Sequence, residues 1–497
     1  MQNYIKEVLK NMPKDWLKLT THRLDIYEEK LAKSQFLEQF SVLYNNNNST
    51  NPALLNLPTA YDYIRLGHPL SCVLEWVIGN KHQLEAKNVI SFDSKTIPVL
   101  AILRKKLLNN KKTRILYTDE LPSSFDVETI KNVYGYQFDL QKVKQGSKIE
   151  KFNGNTVFIQ QKENISNFNI TPNIDFFINI HNKLGSILLI NGIENEDSIS
   201  EIQHVRRRET IAMTPENCLS ALQFYVDNFP LAPIKSTTEN DKKSVLNTIK
   251  KITDITTKPL VASSGLSMQY AIMMGLVDDA LENHKGKAIK FIVPPNCYGG
   301  TNDQARRVAA CIENVEVLDL PVDGKNDMVQ SIDTVLNSIA DENAIPYIIA
   351  EIPTNPRVEV PDLNELKSVL SKERKTKNGD IAMSPVFILD QTFCPNVHFL
   401  GKNAILSSIK AISYASGSKF PSGGKCTAGY CVVNEKATSL LEKIEKHLLI
   451  CDNEATVLQY EILAKQMPSM NERIKNAYKN TLEFVNFIQE KLPEAKI

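Results

Sequence analysis

The sequence contains no Cys-x-x-Cys pair, no run of about 18 apolar residues and almost no net charge, and each absence removes a class of protein. Its eight cysteines are scattered at 72, 218, 297, 311, 394, 426, 431 and 451, several inside apolar runs. Neither a disulfide framework nor a zinc or other metal site is expected, and reduced thiols suit a cytoplasmic protein. Without a long apolar run no membrane helix is expected, and the opening "MQNYIKEVLKNMPKDWLKLT" is a mixed amphipathic pattern lacking the apolar segment of a signal peptide. The 58 Lys and Arg residues face 57 Asp and Glu, so bulk electrostatics favour neither nucleic acid nor an anionic membrane as partner. A small molecule or another protein is the expected partner.

What is present is length and alternation. At 497 residues the chain exceeds one core, and about 150 residues per domain suggests roughly two to four. The first 44 residues read as helical, and the polar "NNNNSTNP" (45–52) separates them from "YDYIRLGHPLSCVLEWVIGN" (61–80), a turn followed by an amphipathic helix. From 86 to 235, apolar runs "TRILYT" (113–118), "TVFIQ" (156–160) and "SILLI" (186–190) suggest an additional or inserted α/β region in which no chemical motif is visible. The basic runs "RKKLLNNKK" (104–112) and "RRR" (206–208) read as solvated helix faces.

From about 258 the alternation sharpens, with "KAIKFIV" (287–293), "VEVLDL" (315–320), "PYIIAEI" (346–352), "PVFILD" (385–390), "KAISYA" (410–415) and "GYCVV" (429–433). Continuous apolar strands spaced by helix-length segments predict an α/β fold with a mostly parallel sheet covered by helices. Ligands of such sheets gather at the carboxyl ends of strands. Several polar residues fall there. Asp390 ends "PVFILD", as the cap of the next segment or as a carboxylate needing a cationic partner. Asn355 sits in "PTNP", either a plain turn or a ligand contact. Tyr298 precedes two glycines, as a packed ring or one offered to a ligand. "SSGLS" (263–267) opens an apolar helical pattern, as a simple N-cap or an anion cradle of free amides. Lys419, in "SGSK" (416–419), lies between apolar runs among small hydroxyl residues, where it either reaches water or does chemistry. Together these residue types suit pyridoxal 5′-phosphate: a lysine for the Schiff base, a carboxylate for the pyridine nitrogen, an aromatic to stack, and amides and hydroxyls for the phosphate.

The order and wording of "SSGLS", "YGGT" (298–301), "EIPTNP" (351–356), "DQTF" (390–393) and "SGSK" resemble the Cys/Met-metabolism family of PLP-dependent enzymes, which includes cystathionine γ-synthase, cystathionine lyases, O-acetylhomoserine sulfhydrylase and methionine γ-lyase. The resemblance spans roughly 258–490. It implies the fold-type I architecture, with Lys419 as Schiff-base lysine and proton shuttle, Asp390 at the pyridine nitrogen, and Tyr298 stacked on the ring and assisting proton transfer. It further implies phosphate contacts from the Gly265 and Leu266 amides and the Ser416 and Ser418 hydroxyls, with Asn355 near the ring's phenolic oxygen. "YIRLGHP" (63–69) is similar to the stretch through which the family lends a tyrosine and an arginine to a neighbouring subunit, which names Tyr63 and Arg65 and implies a homodimer or homotetramer with shared sites.

Three features depart from the family pattern. Nearly two hundred residues separate "YIRLGHP" from "SSGLS", "FPSGGKCTAGY" replaces the usual run after the lysine, and the chain stops about where a C-terminal domain would continue, leaving unnamed the arginine that grips the substrate carboxylate. The expected organisation is therefore an N-terminal helical or clamp segment (1–85), an α/β region of unknown role (86–235), a cofactor-binding large domain (236–435) and the start of a C-terminal domain (436–497). The expected activity is γ-replacement or β/γ-elimination on cystathionine, O-acylhomoserine or a related amino acid, in transsulfuration or methionine biosynthesis. A non-catalytic relative and another fold-type I enzyme, such as an aminotransferase, are the alternatives.

Overall fold

The computed structural model describes residues 1–18, 31–61, 64–227, 238–322, 326–355 and 357–495. Two sheets organise the chain. Strands β1 (Val89–Phe92), β2 (Thr113–Tyr117), β3 (Asp139–Lys142), β4 (Asn155–Gln161), β5 (Phe176–His181) and β6 (Gly185–Ile190) form a six-stranded sheet in the order β1-β6-β5-β4-β2-β3. Strands β7 (Leu260–Ala262), β8 (Ile289–Val293), β9 (Val315–Asp319), β10 (Ile345–Glu351), β11 (Val386–Asp390), β12 (Ala411–Ser416) and β13 (Gly429–Val433) form a seven-stranded sheet in the order β7-β13-β12-β11-β10-β8-β9. In the larger sheet only the pairings of β13 are antiparallel. This is the mostly parallel, helix-covered α/β architecture the sequence predicts, with a second α/β sheet in the N-terminal half.

The strands of the larger sheet are apolar throughout because both faces are covered. Ile412 and Tyr414 of β12 join one core, while Ala411 and Ala415 of the same strand join another, as a side-chain period of two requires. The first core is shared. It also takes Ile90, Ile115, Val157 and Ile178 from the smaller sheet and the helix Gly265–Asn283 from between the two. Strands β1, β3, β5 and β7 were not legible as strands. Three of them, β1, β3 and β7, span only three or four residues, and β3 is a mostly exposed edge with two charged residues.

The two basic runs correct the sequence reading. Arg206 is fully buried and its Nη1 lies 2.8 Å from Glu75 Oε1. Lys33 Nζ reaches the other oxygen of Glu75 at 2.6 Å, and Ser91 donates its amide and hydroxyl to Oε1. Arg104 is likewise buried, pairing with Glu209 and donating to the Tyr270 hydroxyl at 2.8 Å. Carboxylates distant in sequence neutralise these guanidinium groups inside the protein, which local charge patterning does not reveal.

Among the described residues no helix is long and apolar enough to cross a membrane, and no group of three or more His, Cys, Asp or Glu is arranged to hold a metal ion. All eight cysteines are free, seven buried and Cys311 partly so.

Candidate active site

One cavity, open to solvent, lies at the carboxyl ends of β10, β11 and β12, where ligands of largely parallel sheets gather. Its floor begins at β7. Ser264 follows that strand as N-cap of the 265–283 helix, and its Oγ accepts the Ser267 amide at 3.0 Å. The side chain therefore serves one backbone donor, and Gly265 and Leu266 present the first turn of the helix to the cavity, where orphan amides and the helix dipole favour an anion. Glycine is required for closeness: a Cβ on Gly265 would stand 3.0 Å from Ser416 Cβ, and one on Gly429 would stand 2.5 Å from the Ser264 carbonyl oxygen.

Across from this turn, β12 ends in Ser416. Its amide donates to Thr392 Oγ1 at 2.9 Å, and its Oγ lies 2.8 Å from Ser418 Oγ. Lys419 Nζ lies 3.5 Å from the same Ser418 hydroxyl. Lys419 lines the cavity and is exposed, so its ammonium keeps its hydration.

Asp390 ends β11, and Glu351 ends β10 directly beside it in register. Burial pushes the Asp390 carboxyl above its usual range, against hydrogen bonding from Thr392 and the charge of Lys419, which pull it down. Burial and the Asp390 charge together push Glu351 up to about 7. Glu351 Oε1 accepts the Tyr298 amide at 2.7 Å, while its buried Oε2 has no partner.

Tyr298 follows β8 and precedes the helix Gly299–Ala309. The residue is 41% exposed, its ring lying over Gly300, where a Cβ would meet it at 2.6 Å. Arg65 Nη2 donates to the Tyr298 hydroxyl at 3.1 Å. Arg65 is held by its backbone, since its carbonyl accepts the Ala212 amide at 2.9 Å. The next turn runs through Gly67 at φ +151°, where a Cβ would strike the Tyr61 ring at 2.5 Å, into the helix Pro69–Lys81 with a His68–Ser71 capping box.

Of the residues named from sequence, Lys419, Asp390, Tyr298, Gly265, Leu266, Asn355, Ser416, Ser418 and Arg65 all line this cavity. Tyr63 lies outside the described residues. The resemblance has Arg65 arriving from a neighbouring subunit, but here it stands in a wall built by its own chain. Glu351, Gln269 and Thr392 were missed. Glu351 ends an apolar strand just as Asp390 does, and that signal finds it. Gln269 is buried between Thr301 and Tyr414, accepting both hydroxyls at 3.0 and 2.9 Å, with no sequence cue beyond one amide in an apolar helix.

No family model and no curated protein matches the chain. Among solved structures it is similar to a cystathionine γ-lyase from Micromonospora echinospora, at 15% identity over 46% of this chain and 52% of that one, with a TM-score of 0.34. A yeast cystathionine γ-lyase matches at 16% identity over 49% and 55%, with a TM-score of 0.36. MetB from Corynebacterium glutamicum matches at 18% identity over 51% and 57%, also at 0.36. The chain spans about half the length of these structures.

Proposed function

We propose that this chain is a pyridoxal 5′-phosphate-dependent enzyme of sulfur amino-acid metabolism, catalysing γ-replacement or β/γ-elimination on cystathionine, an O-acylhomoserine or a related amino acid. One observation carries the reading: Lys419, Asp390, Tyr298 and the start of the 265–283 helix, far apart in sequence, line a single cavity. The residues fit the cofactor. Two neighbouring carboxyls raised by burial, one with an orphaned buried oxygen, form an unbalanced arrangement that a protonated ring nitrogen offsets. The amide-lined turn beside Ser416 and Ser418 answers a phosphate.

Pyridoxal 5′-phosphate, when bound, supplies an electron-accepting ring that stabilises negative charge at the substrate Cα. Lys419 Nζ would hold the cofactor covalently and, when free, would move the substrate Cα proton. Asp390 would keep a proton on the ring nitrogen. Tyr298 would face the ring, its hydroxyl fixed by Arg65. Asn355 would lie toward the ring's phenolic oxygen. Arg65 and Lys419 are the two basic residues among the described lining residues, and Arg65 adds the positive charge that an anionic ligand requires. Free thiols suit a reducing compartment, which supports a cytoplasmic place of action.

Purified protein mixed with pyridoxal 5′-phosphate is expected to turn yellow, to release a keto acid from cystathionine or an O-acylhomoserine, or to exchange its side chain for a thiol, and to lose both properties in Lys419→Ala. A coloured protein that transaminates without breaking a C–S or C–O bond overturns the sulfur-chemistry reading. One that never colours overturns the cofactor reading.

A further inference from the structure

The two sheets share one plan. In each, a short edge strand pairs with the last strand, which runs antiparallel, and the order continues backwards through the chain to the second and third strands at the far edge. The smaller sheet is the larger with one central strand removed. The helices follow suit: the last strand leads in each half through a 3-10 turn to two helices, Ile199–Glu209 and Pro215–Asp227 in the first, Thr438–Ile450 and Val457–Gln466 in the second. A matching hydrogen bond marks both halves. Asp93 donates its amide to the Ile211 carbonyl at 3.3 Å, and Ser263 donates to that of Asn453 at 2.9 Å.

Sheet register turns this likeness into residue equivalences. Phe92 and Ile180 both face Ser186, as Ala262 and Ser416 both face Gly429. Counting from these pairs, Ser94 corresponds to Ser264 and Lys95 to Gly265. Asp390, opposite Tyr414, corresponds to Ile159, opposite Ile178. The first half thus carries a buried isoleucine where a ring nitrogen needs a carboxylate. Where the second half carries Lys419 in a long connection, the first turns tightly through 181–185, with His181 paired to Gly185. Its would-be anion cradle is filled from within: the Lys95 amide donates to Asp452 Oδ2 at 2.8 Å, and Ser94 Oγ and Thr96 Oγ1 donate to the carbonyls of Cys451 and Ile450. Asp452, a carboxylate of the second half, thus occupies the counterpart of the amide-lined turn at Gly265.

We propose that the first half is a degenerate duplicate of the unit that builds the active site and acts as a built-in partner subunit, completing that site with Arg65 from the same chain while its own counterpart site is closed. The chain is then a fused pseudo-dimer with one complete site, and no second chain is required for Arg65 to reach Tyr298. The halves are joined around the site by further contacts, such as His204 Nε2 and Arg208 Nε to Asp303 Oδ2 at 2.7 and 2.8 Å. The proposal rests on the cofactor reading only for the ligand's name, and its principal test needs no cofactor.

That test is a cross-link with a short bis-maleimide between cysteines introduced as Arg65→Cys and Tyr298→Cys, with the unsubstituted chain as control because seven of the eight native thiols are buried. The doubly substituted chain is expected to cross-link at the mass of one chain, and an equimolar mixture of the two single variants is expected to give no product of doubled mass. A second pair, His204→Cys with Asp303→Cys, repeats the measurement away from the cavity wall should the first pair fold poorly. Doubled mass from either mixture, or no intrachain product from both double variants, overturns the proposal. So does binding of two equivalents of pyridoxal 5′-phosphate per chain, where one is expected.

Discussion

Glu351 and Asp390 are register partners at the ends of adjacent parallel strands, so two carboxyl groups share one wall of the cavity. Burial, with the repulsion from Asp390 added, raises Glu351 from 4.5 to about 7. A carboxyl whose folded pKa is raised binds its proton more tightly folded than unfolded, so stability is complete below the unfolded value and declines as pH rises through the window from about 4.5 to about 7. The loss is on the order of 3 kcal/mol. Denaturant titrations of the cofactor-free protein are expected to show this decline and Glu351→Gln to flatten it. Identical pH slopes in both proteins would remove the assignment.

Asp390→Asn is expected to separate cofactor capture from chemistry. Lys419 and the amide cradle remain, so the yellow complex still forms, but a neutral amide does not hold a proton on the ring nitrogen. Turnover falls by about a hundredfold or more. Lys419→Ala loses the yellow species itself. Absorbance and steady-state rates measured on the same samples distinguish the two variants, and full turnover in Asp390→Asn would contradict the role assigned to the carboxylate.

The two glycines at the cradle are expected to behave differently. At Gly265 a Cβ meets Ser416 Cβ at 3.0 Å and its Cα at 3.1 Å, a contact relieved when the end of β12, which also lines the cradle, moves by a few tenths of an ångström. Gly265→Ala should therefore weaken phosphate binding with little change in melting temperature. At Gly429 the obstacles are the Ser264 carbonyl oxygen at 2.5 Å and Gly265 Cα at 2.6 Å, both backbone. Gly429→Ala should cost about 1–3 kcal/mol of stability through overpacking. Thermal melts and equilibrium binding of inorganic phosphate check both.

Removing Glu75 leaves Lys33 and Arg206 buried without their shared carboxylate. The Glu75 carboxyl is held at about 2 by Lys33 and Arg206 despite the opposing effect of burial. Glu75→Ala is expected to destabilise the fold by about 3–5 kcal/mol. Because the folded pKa is depressed, the stability this carboxylate contributes is present above about 4.5 and is lost as pH falls towards 2. Chemical denaturation of Glu75→Ala beside Arg206→Met measures the coupling, and additive losses would show that the pair acts independently.

The larger sheet was legible because strands buried on both faces are continuous apolar runs, and polar residues ending them stand out: Asp390, Asn355 and Tyr298 were found this way. Short and edge strands such as β7 and β3 carry too few apolar residues to signal. Glu351 offered the same signal as Asp390. The basic runs misled because charge patterning is local, whereas the carboxylates that bury Arg104 and Arg206 come from remote segments.

By itself the sequence determined the α/β class, most strands of the larger sheet and the residue types for one cofactor, since these follow from apolar periodicity and short-range chemistry. The tertiary structure decided that Arg65 meets Tyr298 of its own chain, that Glu351 stands beside Asp390 in register, and that the opaque N-terminal half repeats the sheet plan of the C-terminal one. Those facts are strand register and packing between segments hundreds of residues apart, and pairing at that distance leaves no mark on the order of residues along a chain.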